Sequence, residues 1–153
     1  MKVYTVGYER VQPELYVRTL VEAGVGTVLD VREYAWSHRP AFVKSVLERN
    51  LRAAGIAYAH CKAAGNPSVI RKSTKDPDEC MRRYRSYLDQ NPGSLEELLV
   101  LIRSASADGR PACLTCYERD HGKCHRSVLL EELSKLEPQL VALHLEVTLA
   151  LDP

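Results

Sequence analysis

PACLTCYERDHGKCHRSVLLEEL, residues 111–133, carries a strand, a polar loop and a helix in immediate succession. PACLTCY (111–117) is a short, mostly apolar run behind a proline and reads as a strand. Ser127–Leu136 follows the polar loop and reads as an amphipathic helix. A strand handed directly to a helix is the unit of a parallel sheet, because parallel neighbours need a crossover between them.

The same alternation runs through the rest of the chain. KVYTV (2–6) is a β-branched and aromatic run that ends at Gly7, and Pro13 opens a helix with Leu15, Leu20, Val21 and Gly24 on one face. GTVLDV (26–31) is a second strand, apolar until Asp30. A helix from about Ala41 follows, with Val43, Val46, Leu47, Leu51 and Ala54 inward and Gly55 as its stop. IAYAH (56–60) is a third strand, and 61–75 reads as a long loop. Asp76, Pro77 and Glu79 start a helix that runs to about Leu88. Ser94 with Glu97 forms a capping box for the next, whose stripe is Leu95, Leu98, Leu99 and Ile102. LVALHL (140–145) closes as the last strand. The expected architecture is one α/β domain over 1–153, a three-layer Rossmann-like fold with a mainly parallel sheet of about five strands.

The chain has 153 residues, 45% of them hydrophobic and 27% charged, with a formal net charge of +1. These totals suit a single soluble domain and make no global case for nucleic-acid or membrane binding. No apolar run approaches the roughly 20 residues of a bilayer span, and MKVYTVGYER has no signal core, so the cytoplasm is the expected compartment. Five cysteines (Cys61, Cys80, Cys113, Cys116, Cys124) cannot all pair within the chain, which argues against a disulfide framework.

The polar residues gather at strand ends. Tyr8 and Glu9 follow the first strand, Asp30 and Arg32 the second, His60 and Cys61 the third, Cys116 and Glu118 the fourth, and His144 lies near the end of the fifth. In an open parallel sheet these ends share one edge, where ligands bind. Asp30 and Arg32 fall on one side of an extended strand, so they can pair with each other or orient a ligand together.

Four readings of CYERDHGKCHR (116–126) stand side by side. It can be a polar loop with packed cysteines. It can be a non-metal catalytic or binding site, with Glu118 as acid or base, Cys116 or Cys124 as the thiol, and Arg126 and the first helical amides holding an anion. It can be a metal site: a closed set of Cys113, Cys116, Cys124 and His125, which requires a bend after Leu114 because residues three apart on a strand face opposite ways, or a partial site of Cys116, Cys124 or His125 with water. It can also be a redox pair of Cys116 and Cys124, provided their Cα atoms come within about 4.4–6.8 Å. The spacing excludes a phosphatase thiol loop, since Gly122 stands six positions after Cys116, and no dinucleotide or Walker glycine motif occurs.

TVGYE (5–9), VLDVREYAWSHRPAF (28–42), GIAYAH (55–60), CYE…CHR (116–126) and LHL (143–145) together resemble, in order and spacing, the domain-of-unknown-function family numbered 488. The resemblance implies a compact Rossmann-like domain of bacteria and archaea with no established general activity. Its motif positions fall here on Gly7, Glu9, Asp30, Arg32, Ser37, Cys116, Glu118, Cys124, His125 and Arg126. The chain departs from the pattern at KAAGNP (62–67), where relatives carry a Leu-Gly-Gly-like turn. The D-V-R element is also similar to a strand end of rhodanese domains, whose short cysteine loop is missing here.

Outside these motifs, Trp36, Ser37, His38 and Arg39 form a loop that can anchor packing or stack on a base. His60 and His144 read as satisfied core histidines. Arg71, Lys72, Lys75, Arg82, Arg83 and Arg85, with Tyr84 and Tyr87 between them, are the one local basic concentration. The resulting expectation is an enzyme or binding domain for an anionic, phosphate-bearing ligand of the nucleotide or nucleic-acid kind. Glu118, Cys116 and Cys124 would be catalytic; Gly7, Tyr8, Glu9, Asp30, Arg32, Ser37, His125 and Arg126 would bind the ligand. No cofactor is expected, although zinc on Cys116, Cys124 and His125 stays open. The alternatives are a metal- or thiol-redox-sensing module and a non-catalytic nucleic-acid binder acting through Arg82, Arg83 and Arg85. The oligomeric state is open, and no membrane partner is expected.

Overall fold

A computed structural model describes residues 1–147. Five strands, β1 (Lys2–Gly7), β2 (Thr27–Asp30), β3 (Ala57–His60), β4 (Ala112–Cys116) and β5 (Val141–His144), form one sheet in the order β3-β2-β4-β1-β5. Every pairing is parallel. Six helices flank the sheet: α1 (Pro13–Glu22), α2 (Lys44–Ala53), α3 (Ser68–Arg71), α4 (Pro77–Gln90), α5 (Pro92–Ala105) and α6 (His125–Leu136). None of them is long and apolar enough to cross a membrane.

Two apolar clusters make the three layers. Leu15, Tyr16 and Leu20 of α1 and Leu47 and Leu51 of α2 pack with Val6, Val28 and Cys113 on one face. Tyr84 and Leu88 of α4, Leu98 and Ile102 of α5, and Leu129 and Leu133 of α6 pack with Val3, Leu29 and Leu114 on the other. A fully buried leucine contributes about 1.5–3 kcal/mol by leaving water, so these contacts, rather than local propensity, hold the helices in place.

Several boundaries differ from the sequence reading for identifiable reasons. The stretch 61–75 contains a 3₁₀ turn at Lys62–Ala64 and the short helix α3 rather than loop alone. Ser94 caps nothing: α5 begins at Pro92, whose ring presets the first helical φ, and Ser94 lies buried in the first turn. The second helix starts at Lys44, behind a 3₁₀ turn at Pro40–Phe42. The last helix starts two residues early, at His125, with Cys124 as its cap. It is not simply amphipathic. His125, Arg126, Val128, Leu129, Leu130, Glu132 and Leu133 are all buried, because α4 and α5 pack on it as well as the sheet.

The strand order determines where the loops diverge. Central β4 lies between β2 and β1. The chain leaves β1 and β2 toward α1 and α2 on one face, and leaves β4 toward α6 on the other. Loops beside β4 therefore part in opposite directions, opening a crevice at the carboxyl edge on each side of it.

Candidate functional site

The β1 and β4 ends are tied beyond the last paired residues, through Tyr8 N donating to the Cys116 carbonyl (3.3 Å) and Glu9 N to that of Tyr117 (2.8 Å). Gly7 makes the approach sterically feasible. A Cβ there would stand 1.8 Å from the Glu118 carbonyl oxygen and 2.8 Å from the Cα of Arg119. Only a bare backbone lets the loop after β4 cross the end of β1 this closely. The Glu9 carboxylate accepts from Arg119 N (3.2 Å) and holds the same loop from outside.

At the end of β2, Asp30 and Arg32 form a buried two-pronged pair. Arg32 Nε donates to Asp30 Oδ1 (2.8 Å) and a terminal nitrogen to Oδ2 (2.6 Å). Tyr58 also donates to Asp30 (2.5 Å), and Arg32 reaches the Tyr8 hydroxyl (3.1 Å) and the Phe42 carbonyl (2.7 Å). Burial works against the Arg32 charge, yet the hydrogen bonds and charge of Asp30 outweigh it and raise the guanidinium pKa above its ordinary value. Tyr8 completes the unit by stacking on Phe42, with centroids 4.4 Å apart. Asp30 is fully buried and Arg32 almost so. Their polar atoms are spent on one another and on the loop that carries Trp36 and Ser37. Ser37 accepts from Arg39 N (3.1 Å), and Arg39 in turn donates to the Tyr8 and Val11 carbonyls.

The β4 end is different. Cys116, Glu118, Cys124 and His125 bring one ligand atom each within 4.8 Å of one another. Cys116 Sγ lies 3.5 Å from Glu118 Oε2. His125 Nε2 donates to the Val31 carbonyl (2.7 Å), so Nδ1 carries the lone pair and faces Cys124 Sγ at 3.5 Å. Burial lowers the His125 pKa to about 4, keeping the ring neutral, and burial raises that of Glu118, favouring its protonated form. Cys113 points away, as strand alternation requires: it packs in the opposite apolar cluster, and burial pushes its thiol pKa up.

Arg126 is the least compensated group. It is 1% exposed, and no carboxylate among the described residues pairs with it. Its Nε donates to Cys124 Sγ (3.3 Å), its backbone N–H to the same sulfur (3.5 Å), and a terminal nitrogen to the Glu118 carbonyl (2.6 Å). Burial lowers its pKa from the ordinary arginine value. A buried cation needs a counter-charge, and the one side-chain partner of Arg126 among the described residues is the Cys124 sulfur, which also caps α6. The structure joins Cys116 and Cys124 through their Sγ atoms as a disulfide, the pairing of the redox reading.

Above this cluster lies a cleft of about 710 Å³ with Cys116, Glu118, His125, Tyr8 and Arg32 at its base. Its walls include the exposed rings of Tyr34, Trp36 and Tyr117 and the cations Arg71, Lys75 and Lys123. The sequence reading had no means of choosing Tyr34, Tyr117, Lys123 or Asn66, because tertiary folding alone brings them to one wall. Asn66 comes from the KAAGNP turn. There Gly65 passes within 2.3 Å, measured from an added Cβ, of Glu33 N. Asn66 is 5% exposed; its Nδ2 donates to Cys80 Sγ (3.5 Å), while its Oδ1 has no partner among the described residues. On the other side of β4 a second cavity of about 660 Å³ is lined by Glu9, Arg10, Arg126, His121 and His144. His144 is bonded to Thr5 (2.6 Å) and stacked on His121, but is exposed rather than a core residue. His60 is satisfied by the Arg32 carbonyl (2.6 Å).

Arg82 and Arg83 both pair with Glu79, and Arg85 with Glu131 and Glu132, so much of the basic concentration is neutralised locally.

No curated protein and no solved structure matches the chain. The family described as "Domain of unknown function DUF488" matches residues 12–133, a span from α1 through most of α6. On that match, and with the motif residues gathered at one edge of a parallel sheet, the chain belongs to the DUF488 family.

Proposed function

We propose that the chain is an enzyme acting on a phosphate-bearing, ring-containing ligand of the nucleotide class, bound in the cleft above Glu118. The observation that carries this reading is the unmet acceptor of Asn66. A buried carbonyl oxygen without a donor costs about 1–3 kcal/mol, and this one lies on the cleft wall. A base amino group or a sugar hydroxyl is a donor of the right kind. The exposed rings of Trp36, Tyr34 and Tyr117 supply apolar faces on which a base stacks, at about 1–3 kcal/mol per base. Lys75 and Lys123, in no ion pair among the described residues, supply charge for phosphate.

Glu118 is the acid. Its carboxyl sits at the cleft base and burial favours its protonated form, which suits it to give a proton to a leaving group and take it back from water. Gly7 and Arg126 are positioning residues, since both fix the Glu118 peptide. Arg32 has a different part from the anion-binding one that its sequence position suggests. Bound to Asp30, it shapes the cleft base.

Trp36 is the sole tryptophan and lies on the cleft wall, so its fluorescence reports the site directly. Nucleoside mono- and diphosphates should quench it saturably, inorganic phosphate should not, and Asn66→Ala or Lys75→Ala should weaken binding about tenfold. Glu118→Gln should bind normally and lose about 10²–10⁴ of any turnover found with the bound nucleotide. Unchanged fluorescence across the panel at millimolar concentration, or full turnover by Glu118→Gln, would refute the reading.

A further inference from the structure

We propose that Cys116, Cys124 and His125, once the Cys116–Cys124 bond is reduced, hold a zinc-type divalent ion whose fourth position opens toward Glu118 and the cleft. The first argument is distance. The four candidate atoms lie within 4.8 Å of one another, and Cys124 Sγ and His125 Nδ1 stand 3.5 Å apart, the spacing of sulfur and nitrogen ligands on tetrahedral zinc; the two sulfurs, joined in the structure, take up ligand spacing only on reduction. The second is orientation. A ligating imidazole turns its other N–H to a backbone carbonyl or carboxylate, and His125 does so toward Val31 at 2.7 Å, leaving Nδ1 aimed at the sulfurs.

The third argument is charge. Arg126 is a buried cation, and its donors end on Cys124 Sγ and the Glu118 carbonyl. Two neutral thiols would leave it without a counter-charge. Two thiolates on a divalent ion place anionic sulfur against it, and the Arg126 N–H groups become donors to a metal-bound sulfur. The bond that joins the sulfurs in the structure leaves Arg126 without an anionic partner, which two metal-bound thiolates would supply. Two soft sulfurs with one imidazole select zinc over magnesium or calcium. A thiol reductant first breaks the Cys116–Cys124 bond, giving two electrons and two protons and leaving as its own disulfide; zinc binding then expels the two thiol protons to solvent with no further electron transfer.

The inference deepens the proposed reading of the cleft and rests on it only for what the ion would do: polarise a water beside Glu118. The ion itself is read independently. Metal-stripped, reduced protein titrated with cobalt(II) should bind one ion per chain. It should show a thiolate-to-cobalt charge-transfer band and the intense d–d bands of a tetrahedral site, with zinc displacing the cobalt. Cys116→Ser and His125→Gln should weaken binding by more than about 100-fold, while Cys113→Ser should retain it. Cys124 also caps α6, so a second measurement uses unaltered protein: zinc should protect two thiols from a thiol reagent. Absence of cobalt binding by the unaltered protein, equal binding by Cys116→Ser, or no zinc protection would overturn the site. Each of these outcomes would leave the nucleotide titration standing.

Discussion

The ends of β2 and β4 both bury charge beneath the same cleft, yet they differ in whether that charge is answered. Asp30 and Arg32 saturate each other and borrow Tyr58, Tyr8 and the Phe42 carbonyl for the remainder. Arg126 and its neighbours leave a cation facing sulfur, an imidazole lone pair facing sulfur, and a carboxyl biased toward its proton. A closed polar cluster is architecture. One whose parts need something from outside is where chemistry is to be sought, because desolvated and unmatched groups carry a free-energy cost that folding alone does not offset.

Breaking the closed cluster should have the largest effect on stability. Arg32→Met leaves Asp30 buried without its partner and should cost about 3–5 kcal/mol in denaturant unfolding; a loss below about 1 kcal/mol would remove the contrast. Gly7→Ala should rank next. Its Cβ would meet the Glu118 peptide backbone, which cannot yield as a side chain would, so about 1–3 kcal/mol is expected together with a weakened nucleotide signal.

The open cluster should respond in the opposite manner. Glu118→Gln keeps the shape and replaces a carboxyl biased toward neutrality, so stability should stay within about 0.5 kcal/mol of wild type. A loss as large as that of Arg32→Met would make Glu118 a structural residue. A similarly small effect, confined to acid pH, is expected away from the edge. Burial opposes the Glu132 charge, but hydrogen bonds from Lys135 and Arg85 outweigh it and lower the Glu132 pKa below the usual carboxylate value. Its contribution is therefore present above the unfolded pKa of about 4.3 and lost as pH falls through the lower folded value. Glu132→Gln should remove that part of the acid sensitivity, less than about 1 kcal/mol, measured by unfolding at pH 3 against pH 7.

Much of the edge was legible in the residues. Strand ends announce themselves where an apolar run meets a polar residue, which located Tyr8, Asp30, Arg32, Cys116 and Glu118 together. Period-two alternation alone placed Cys113 on the far face. The pairing of Asp30 with Arg32 was also readable, since residues two apart on a strand share a side. The saturation of Arg32 was not, because the Phe42 carbonyl and the Tyr8 hydroxyl come from other parts of the chain. Asn66 was passed over as a turn residue. Its unmet acceptor exists only because Gly65 lets that turn press against Glu33. The basic concentration at Arg82–Arg85 read as a solvated helix face diluted by Asp76, Asp78 and Glu79, or as a nucleic-acid patch; the long-range pairing of Arg85 to α6 is invisible to local spacing.

Local patterning of the chain dictates the alternation of strands and helices, and with it a parallel sheet whose carboxyl edge collects the polar residues. It also sets the face that each strand residue takes, since side-chain direction follows backbone period. The central place of β4, the crevices on both sides of it, and the burial of Arg126 against a cysteine rather than a carboxylate emerge only when the whole chain has folded. The physical reason is range. Period and propensity act over a few residues, whereas desolvation and charge compensation depend on which distant segments close over a group.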